Sequence, residues 1–237
     1  MAELIEETSP EVAASPEVLA FLARAAACLH ADPPGPLEPG ADPRGDHTLQ
    51  QDHELLRAVL ERPPRLAAVL VPVVPRPDGV TVLFTERAAH LRDHAGQVAF
   101  PGGKIDAADP SPRAAALREA WEEIGLPADR VRVLGYLDPY LSGTGFLVMP
   151  VVGLVALPLA LALNPAEVAA SFEVPLAHLM DPDRHELHER EWRGRMRRYY
   201  AIPHEGRTVW GVTAGIVRNF YERFAGPDAP VGDPTSR

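Results

Sequence analysis

Cysteine is almost absent. The 237 residues contain one, Cys28, which excludes an intramolecular disulfide and points to a reducing compartment, the cytoplasm. Cys28 lies in the apolar run AFLARAAACL, where a small buried hydrophobe is expected rather than a nucleophile. Positive charge is also scarce. Lysine and arginine total 23 against 33 acidic residues, a net charge of −10. That balance argues against a general nucleic-acid or membrane-surface binder, because both surfaces are anionic. An anionic small-molecule substrate would need local arginines or metal ions to overcome the field of the whole chain. Nor is there an uninterrupted apolar run long enough for a membrane span. FLVMPVVGLVALPLALAL comes nearest, but prolines and a glycine break it, and it reads as a buried strand and turn. The acidic opening MAELIEETSPE lacks the basic region of a signal peptide. No internal repeat is present.

Composition divides what remains. Residues 1–62 read as a helical N-terminal extension. Its first helix is SPEVLAFLARAAACLH, with Ser15 as cap and Pro16 in the first turn. A proline- and glycine-rich linker covers about 31–47, and a second helical pattern, HELLRAVLERPP, ends at its proline pair. Residues 63–225 read as one domain. LAAVLVPVV and VTVLFTER are strands joined by an RPDG turn, FPGGK is a glycine-rich bend, and a helix follows. VRVLGYLDPY, FLVMPVVGLVAL and RRYYAIP read as further strands, and TVWGVTAGIVRNFYERF as a short strand leading into a helix. Strands on both sides of a helix imply an α+β sandwich. Residues 226–237 read as a disordered tail.

The helix after FPGGK carries REAWEEIG. Ser111 is placed to cap it, Pro112 suits the next position, and Gly125 is placed to close it. At roughly 100° per residue, Glu119, Glu122 and Glu123 fall within about one third of the circumference. Ala116, Leu117, Ala120, Trp121 and Ile124 fall on the other side, which would pack on the sheet while the carboxylates converge outside. Arg118, four residues before Glu122, can pair with it. A solvated charged face leaves this clustering unexplained, since only one base offsets three acids. Carboxylates at this spacing instead form a platform for a hard divalent cation such as Mg²⁺, which takes oxygen ligands from carboxylates and substrate phosphates.

The stretch GGKIDAADPSPRAAALREAWEEIGL resembles the Nudix box, G-x5-E-x7-R-E-U-x-E-E-x-G-U with U aliphatic. Gly103 opens it, and Arg118, Glu119, Glu122, Glu123, Gly125 and Leu126 complete it. Asp109 stands where the box has its first glutamate, and one extra residue precedes Arg118. The aspartate's shorter reach argues against a metal contact there. The preceding stretch LFTERAAHLRDHAGQVAFPGG, Leu83 to Gly103, resembles a signature of the coenzyme A diphosphatase branch. Thr85, Arg87, Leu91, Arg92, His94, Gly96, Gln97, Val98, Phe100 and Pro101 match it. Phe84 replaces a leucine, and Ala88 replaces the branch's usual serine.

The resemblance implies a Nudix-type α/β/α sandwich with a mixed sheet and metal-dependent hydrolysis of coenzyme A or a derivative. The products would be 3′,5′-ADP and 4′-phosphopantetheine, or its acylated form. It implies that Glu119, Glu122 and Glu123 hold Mg²⁺ or Mn²⁺, with Glu122 open to a general-base role and Arg118 orienting the glutamates. Arg87, Arg92 and His94 are candidates for binding substrate phosphate, with packing of their own loop as the alternative. Gly102 and Gly103 either aim amides at phosphate or only permit the bend. Glu167 and Glu173 stand equally as an extra base or ligand and as ordinary surface acids. The charged stretch DPDRHELHEREWRGRMRR, with His185 and His188 at helical spacing, is expected to be a solvated loop. Two other readings remain: a Nudix enzyme for ADP-ribose or a nucleoside triphosphate, and a nucleotide sensor without turnover. A homodimer through the extension stays open, as do a cover over the active site and no role at all.

Overall fold

The computed structural model describes residues 15–35, 44–50, 63–91, 96–192 and 194–226. Its centre is β2 (Arg65–Arg76), which pairs in parallel with β8 (Phe146–Val155) and antiparallel with β3 (Gly79–Arg87) and β5 (Gly102–Lys104). The run LAAVLVPVV is apolar at almost every position because both faces of this strand are covered. Alternation sorts its residues into two layers. Ala67, Val71 and Val73 enter one core, and Ala68, Leu70 and Val74 the other. Val82 and Phe84 of β3 join the first core and Leu83 the second.

The rest of the main sheet follows from these pairings. Its order is β1-β7-β8-β2-β3-β4, where β1 is Arg44–Gly45, β4 is Val98–Ala99 and β7 is Tyr140–Leu141. β6 (Val131–Tyr136) also pairs with β8, and β9 (Val168–Pro175) with β3. Parallel and antiparallel pairs coexist, so the sheet is mixed, as expected.

Helices close both faces. Over the first core lie α1 (Pro16–Cys28) and α5 (Val212–Ala225), contributing Phe21, Ala25, Ile216, Val217 and Phe220. Two short helices, α2 (Asp46–Gln50) and α4 (Leu176–Leu179), lie between α1 and α5 in the chain. Over the second core lies α3 (Pro112–Ile124), whose Ala115, Ala116 and Ala120 are fully buried. Small side chains there let the helix axis approach the sheet closely. The expected α/β/α sandwich is present.

The first helix is seated in the main core rather than standing apart from it. Ser15 caps it by accepting from the Val18 N–H at 3.3 Å. Arg24 donates to the carbonyl of Phe224, and Arg223 to the carbonyl of Cys28. Asp138 ties the same region together. It accepts from His30 Nε2 at 2.8 Å, Arg223 Nη1 at 2.8 Å and Arg44 Nε at 3.1 Å. An Asp138→Ala change leaves these donors facing one another without their acceptor. It should cost about 2–3 kcal/mol and lower Tm by about 5–10 °C in a thermal melt.

The charged stretch after residue 181 departs from expectation. It forms an antiparallel sheet of β10 (Glu186–Trp192), β11 (Arg195–His204) and β12 (Arg207–Trp210), not a loop. Cross-strand charge pairing compensates the polarity, as in Arg198 Nε to Glu189 Oε1 at 2.7 Å. His185 and His188 therefore share no helix face. His185 bonds the Leu179 carbonyl at 2.8 Å and packs edge-on to Tyr221. The second helical pattern, residues 36–43 of the linker and the tail after Gly226 lie outside the described residues. Among those described, no helix is long and apolar enough to cross a membrane.

Candidate active site

The site is built where α3 meets β5. The helix starts and stops where the sequence indicates. Ser111 Oγ accepts from the Ala114 N–H at 3.2 Å, and Gly125 ends the helix with φ 65°. Any Cβ on Gly125 would also lie 2.8 Å from the Ala162 Cβ, so only glycine satisfies both the backbone angle and the contact. The last carbonyls of the helix recruit a distant loop. Ile124 O accepts from Ala162 N–H and Glu123 O from Asn164 N–H, both at 2.9 Å. Asn164 O then accepts from Glu167 N–H at 3.0 Å, and Glu167 O from Ala88 N–H at 2.8 Å. These bonds fix Glu167 beside the end of the helix.

The helix presents its acids unequally. Glu122 is exposed and Glu119 half-buried, but Glu123 is only 4% exposed. The expectation that all three converge outside is corrected for Glu123. It points under the β5 backbone, where Gly102 N–H bonds its carboxyl group. Burial, then the nearby Glu119 charge, pushes Glu123 up to about 8, with Arg87 opposing and Glu167 adding to the rise. Burial also raises Glu119, against the hydrogen bond from Arg118. Trp121 is a second correction. It is 58% exposed instead of packing on the sheet, and Ala115 fills the core in its place.

Arg118 organises the rim. Its Nε and Nη2 engage both oxygens of Asp109 at 3.1 and 2.9 Å. Its Nη1 reaches Glu119 and Glu122, each at 3.0 Å, and its Nη2 reaches the Lys104 carbonyl at 3.2 Å. Hydrogen bonding from Arg118 holds Asp109 below the usual carboxylate range. Asp109 thus anchors the arginine.

The two glycines have different duties. Gly102 and Gly103 pair with Val69 and Ala68 of β2. A Cβ on Gly102 would meet the Ala68 carbonyl oxygen at 2.5 Å, so the residue is needed for strand approach. A Cβ on Gly103 would meet Glu119 Oε1 at 2.5 Å, so the missing side chain makes room for a carboxylate. Arg87, at the end of β3, contributes positive charge to Glu123. Its Nε is buried and has no hydrogen-bond partner among the described residues. Arg92 and His94 lie outside the described residues.

Glu167 and Glu173, alike in sequence, separate in space. Glu167 acts electrostatically on both Glu119 and Glu123. Glu173 is tied to Arg76 Nε at 2.9 Å and to Thr81 Oγ1 at 2.5 Å. Burial raises its carboxyl group, but those bonds prevail and hold it below the ordinary value.

Hard oxygen donors in excess of local positive charge suit a divalent cation. The charges of Glu119 and Glu167 both add to the rise at Glu123, and that of Glu167 to the rise at Glu119, as an uncompensated cation site would. Among the described residues, however, no three acids or histidines are gathered in ligating positions as the side chains stand. Arg118 draws Glu119 and Glu122 to itself, and Glu123 is turned to the Gly102 amide.

The family model for the NUDIX domain matches residues 64–196, more than half of the chain. The chain belongs to the Nudix family. The Nudix hydrolase NudL of Salmonella paratyphi B, an uncharacterized protein, is 47% identical over 178 residues, covering 72% of this chain and 92% of the relative. NudL of Salmonella enteritidis gives the same figures. Among solved structures, the Nudix hydrolase RenU of M. smegmatis is 31% identical over 48% of this chain and 73% of that chain, with a TM-score of 0.39. This Nudix chain is accordingly an enzyme, a pyrophosphohydrolase of small-molecule nucleotide substrates, and Nudix hydrolases use divalent metal ions.

Proposed function

We propose that this enzyme cleaves the diphosphate of coenzyme A or a derivative into 3′,5′-ADP and 4′-phosphopantetheine or its acylated form, with Mg²⁺ or Mn²⁺, in the cytoplasm. The observation that supports this most is Arg87. It is the first arginine of the segment resembling the coenzyme A diphosphatase signature, and its buried Nε lacks a hydrogen-bond partner among the described residues. An unpaired buried guanidinium donor is costly unless a ligand anion completes it, and arginine binds phosphate in a forked geometry. The same segment ends in Gly102 and Gly103, which fit around Glu123 and Glu119. This continuity supports reading the signature and the carboxylates as parts of one site.

Glu119, Glu122 and Glu123, joined by Glu167, are the proposed metal ligands. A bound divalent ion would neutralise phosphate charge and lower the pKa of water. The protein's own part is placement. Arg118, fixed by Asp109, orients Glu119 and Glu122; Arg87 holds a phosphate oxygen; and a carboxylate left off the metal, Glu122 or Glu167, takes the proton of the attacking water.

The test is purified protein with Mg²⁺ or Mn²⁺, incubated separately with coenzyme A, ADP-ribose and a nucleoside triphosphate, with products separated by chromatography. Release of 3′,5′-ADP from coenzyme A is expected. Cleavage of only the other two would retain the chemistry and reject the substrate. Binding without any cleavage would favour a nucleotide sensor.

A further inference from the structure

The three-stranded sheet carries a row of rings with no role in the core. His188 stacks on Tyr199 with centroids 5.9 Å apart and planes at 29°, and Tyr199 meets Trp210 edge-on at 5.7 Å. The register accounts for the row. Tyr199 lies opposite His188, and Trp210 lies opposite Ala201, two residues from Tyr199 and so on the same face. The alternate residues Ile202 and Val209 are buried in the main core. The aromatic row faces away from that core, with His188 exposed and Tyr199 and Trp210 half-buried.

The row begins beside the active site. Trp210 is followed by Gly211, where a Cβ would lie 3.6 Å from Gln97 Nε2. Gln97 O accepts from the Arg87 N–H at 3.0 Å, and Thr213 Oγ1 donates to Val98 O at 3.1 Å. The sheet is thus fastened to the segment that carries Arg87, whose charge acts on Glu123. Arg190, two residues from His188 on the same strand, is exposed on the side of the rings, and Glu186 binds His188 at 2.7 Å.

We propose that the row His188, Tyr199 and Trp210 is the seat of the adenine base of the substrate, with the exposed Arg190 favouring phosphate beside it. This rests on the diphosphatase reading above. Purines stack on aromatic faces, and a row leading from the diphosphate site offers that surface in line with the substrate. Stacking one base contributes about a ten-fold change in affinity.

The experiment compares Trp210→Ala, Trp210→Phe, Tyr199→Ala and His188→Ala in the full chain with Mg²⁺. It measures kcat and KM for coenzyme A and inhibition by 3′,5′-ADP and by 4′-phosphopantetheine. Trp210→Ala should raise KM and weaken 3′,5′-ADP about ten-fold, leave kcat within about two-fold and leave 4′-phosphopantetheine unaffected. Trp210→Phe should recover most of the loss. Unchanged 3′,5′-ADP inhibition in both Trp210→Ala and Tyr199→Ala overturns the proposal, as does equal weakening of both products. Should Trp210→Ala not fold, Trp210→Phe with the exposed His188→Ala decides by the same criterion. If the parent enzyme cuts ADP-ribose or ATP but not coenzyme A, the substrate reading fails separately. The ring variants are then scored by their loss of preference for ADP over GDP as inhibitor, and a retained preference overturns the adenine seat.

Discussion

Replacing Glu123 with glutamine is expected to reduce turnover by about 10²–10³-fold, the range for loss of one preorganised electrostatic group, while making the metal-free protein more tolerant of alkaline pH. The two effects have one cause. Glu123 is 4% exposed, and burial beside Glu119 raises its carboxyl pKa from 4.5 to about 8. A group whose folded pKa lies above its unfolded value binds more protons folded than unfolded. Stability of the metal-free protein therefore falls as pH rises from about 4.5 towards 8, and the full penalty is present above 8. Glutamine keeps an oxygen for the Gly102 amide and carries no charge, so its Tm should decline much less over that window. Saturating Mg²⁺ should flatten the parent's curve and leave the variant's unchanged. Thermal melts from pH 5 to 9, with and without Mg²⁺, provide the measurement. A parent curve that rises across the window would sink this account of the buried carboxylate.

Gly103→Ala should lower kcat by about 10²-fold, as misplacing a reacting group by about 1 Å does, with Tm within a few degrees of the parent. The added Cβ meets only the tip of the Glu119 side chain, at 2.5 Å from Oε1, so the carboxylate swings aside and the strand survives. Gly102→Ala gives the contrasting result. Its Cβ meets backbone, the Ala68 oxygen at 2.5 Å and Val69 Cα at 2.6 Å, so the strand pair must part and the fold itself weakens. Steady-state kinetics beside thermal melts separates the cases. Gly103→Ala with parental kcat would mean that the observed position of Glu119 is irrelevant to catalysis.

The ends of α3 were legible because capping is local chemistry: Ser111, Pro112 and Gly125 each act within a few residues of themselves. The sides of α3 were less so. Polarity assigned Trp121 inward and Glu123 outward, and the sheet reversed both. The Gly102 amide gives Glu123 a partner, while Trp121 lines an open surface groove with Leu117, Pro127 and Ala128. Glu167 and Glu173 were indistinguishable in sequence because their difference is topological. Six residues of extended chain separate them by about 20 Å, and only the cap on α3 decides which end lies near the site. The hairpin β10–β11 was obscured by charge on both of its faces. Its cross-strand partners, such as Glu189 and Arg198, neutralise each other only once paired.

The seating of α1 against α5 also has a consequence for synthesis. Arg24 and the Phe224 carbonyl are 200 positions apart in the chain. At ribosomal rates of about 5–20 residues per second, α1 waits roughly 10–40 s for its partner. Until α5 emerges, the Phe21 and Ala25 face has no helix beside it, and Phe21 lacks the stacked ring of Phe224. The nascent chain therefore carries an apolar α1 face without its helical neighbour for nearly the whole of its translation, and α5, when it emerges, is the piece that closes it.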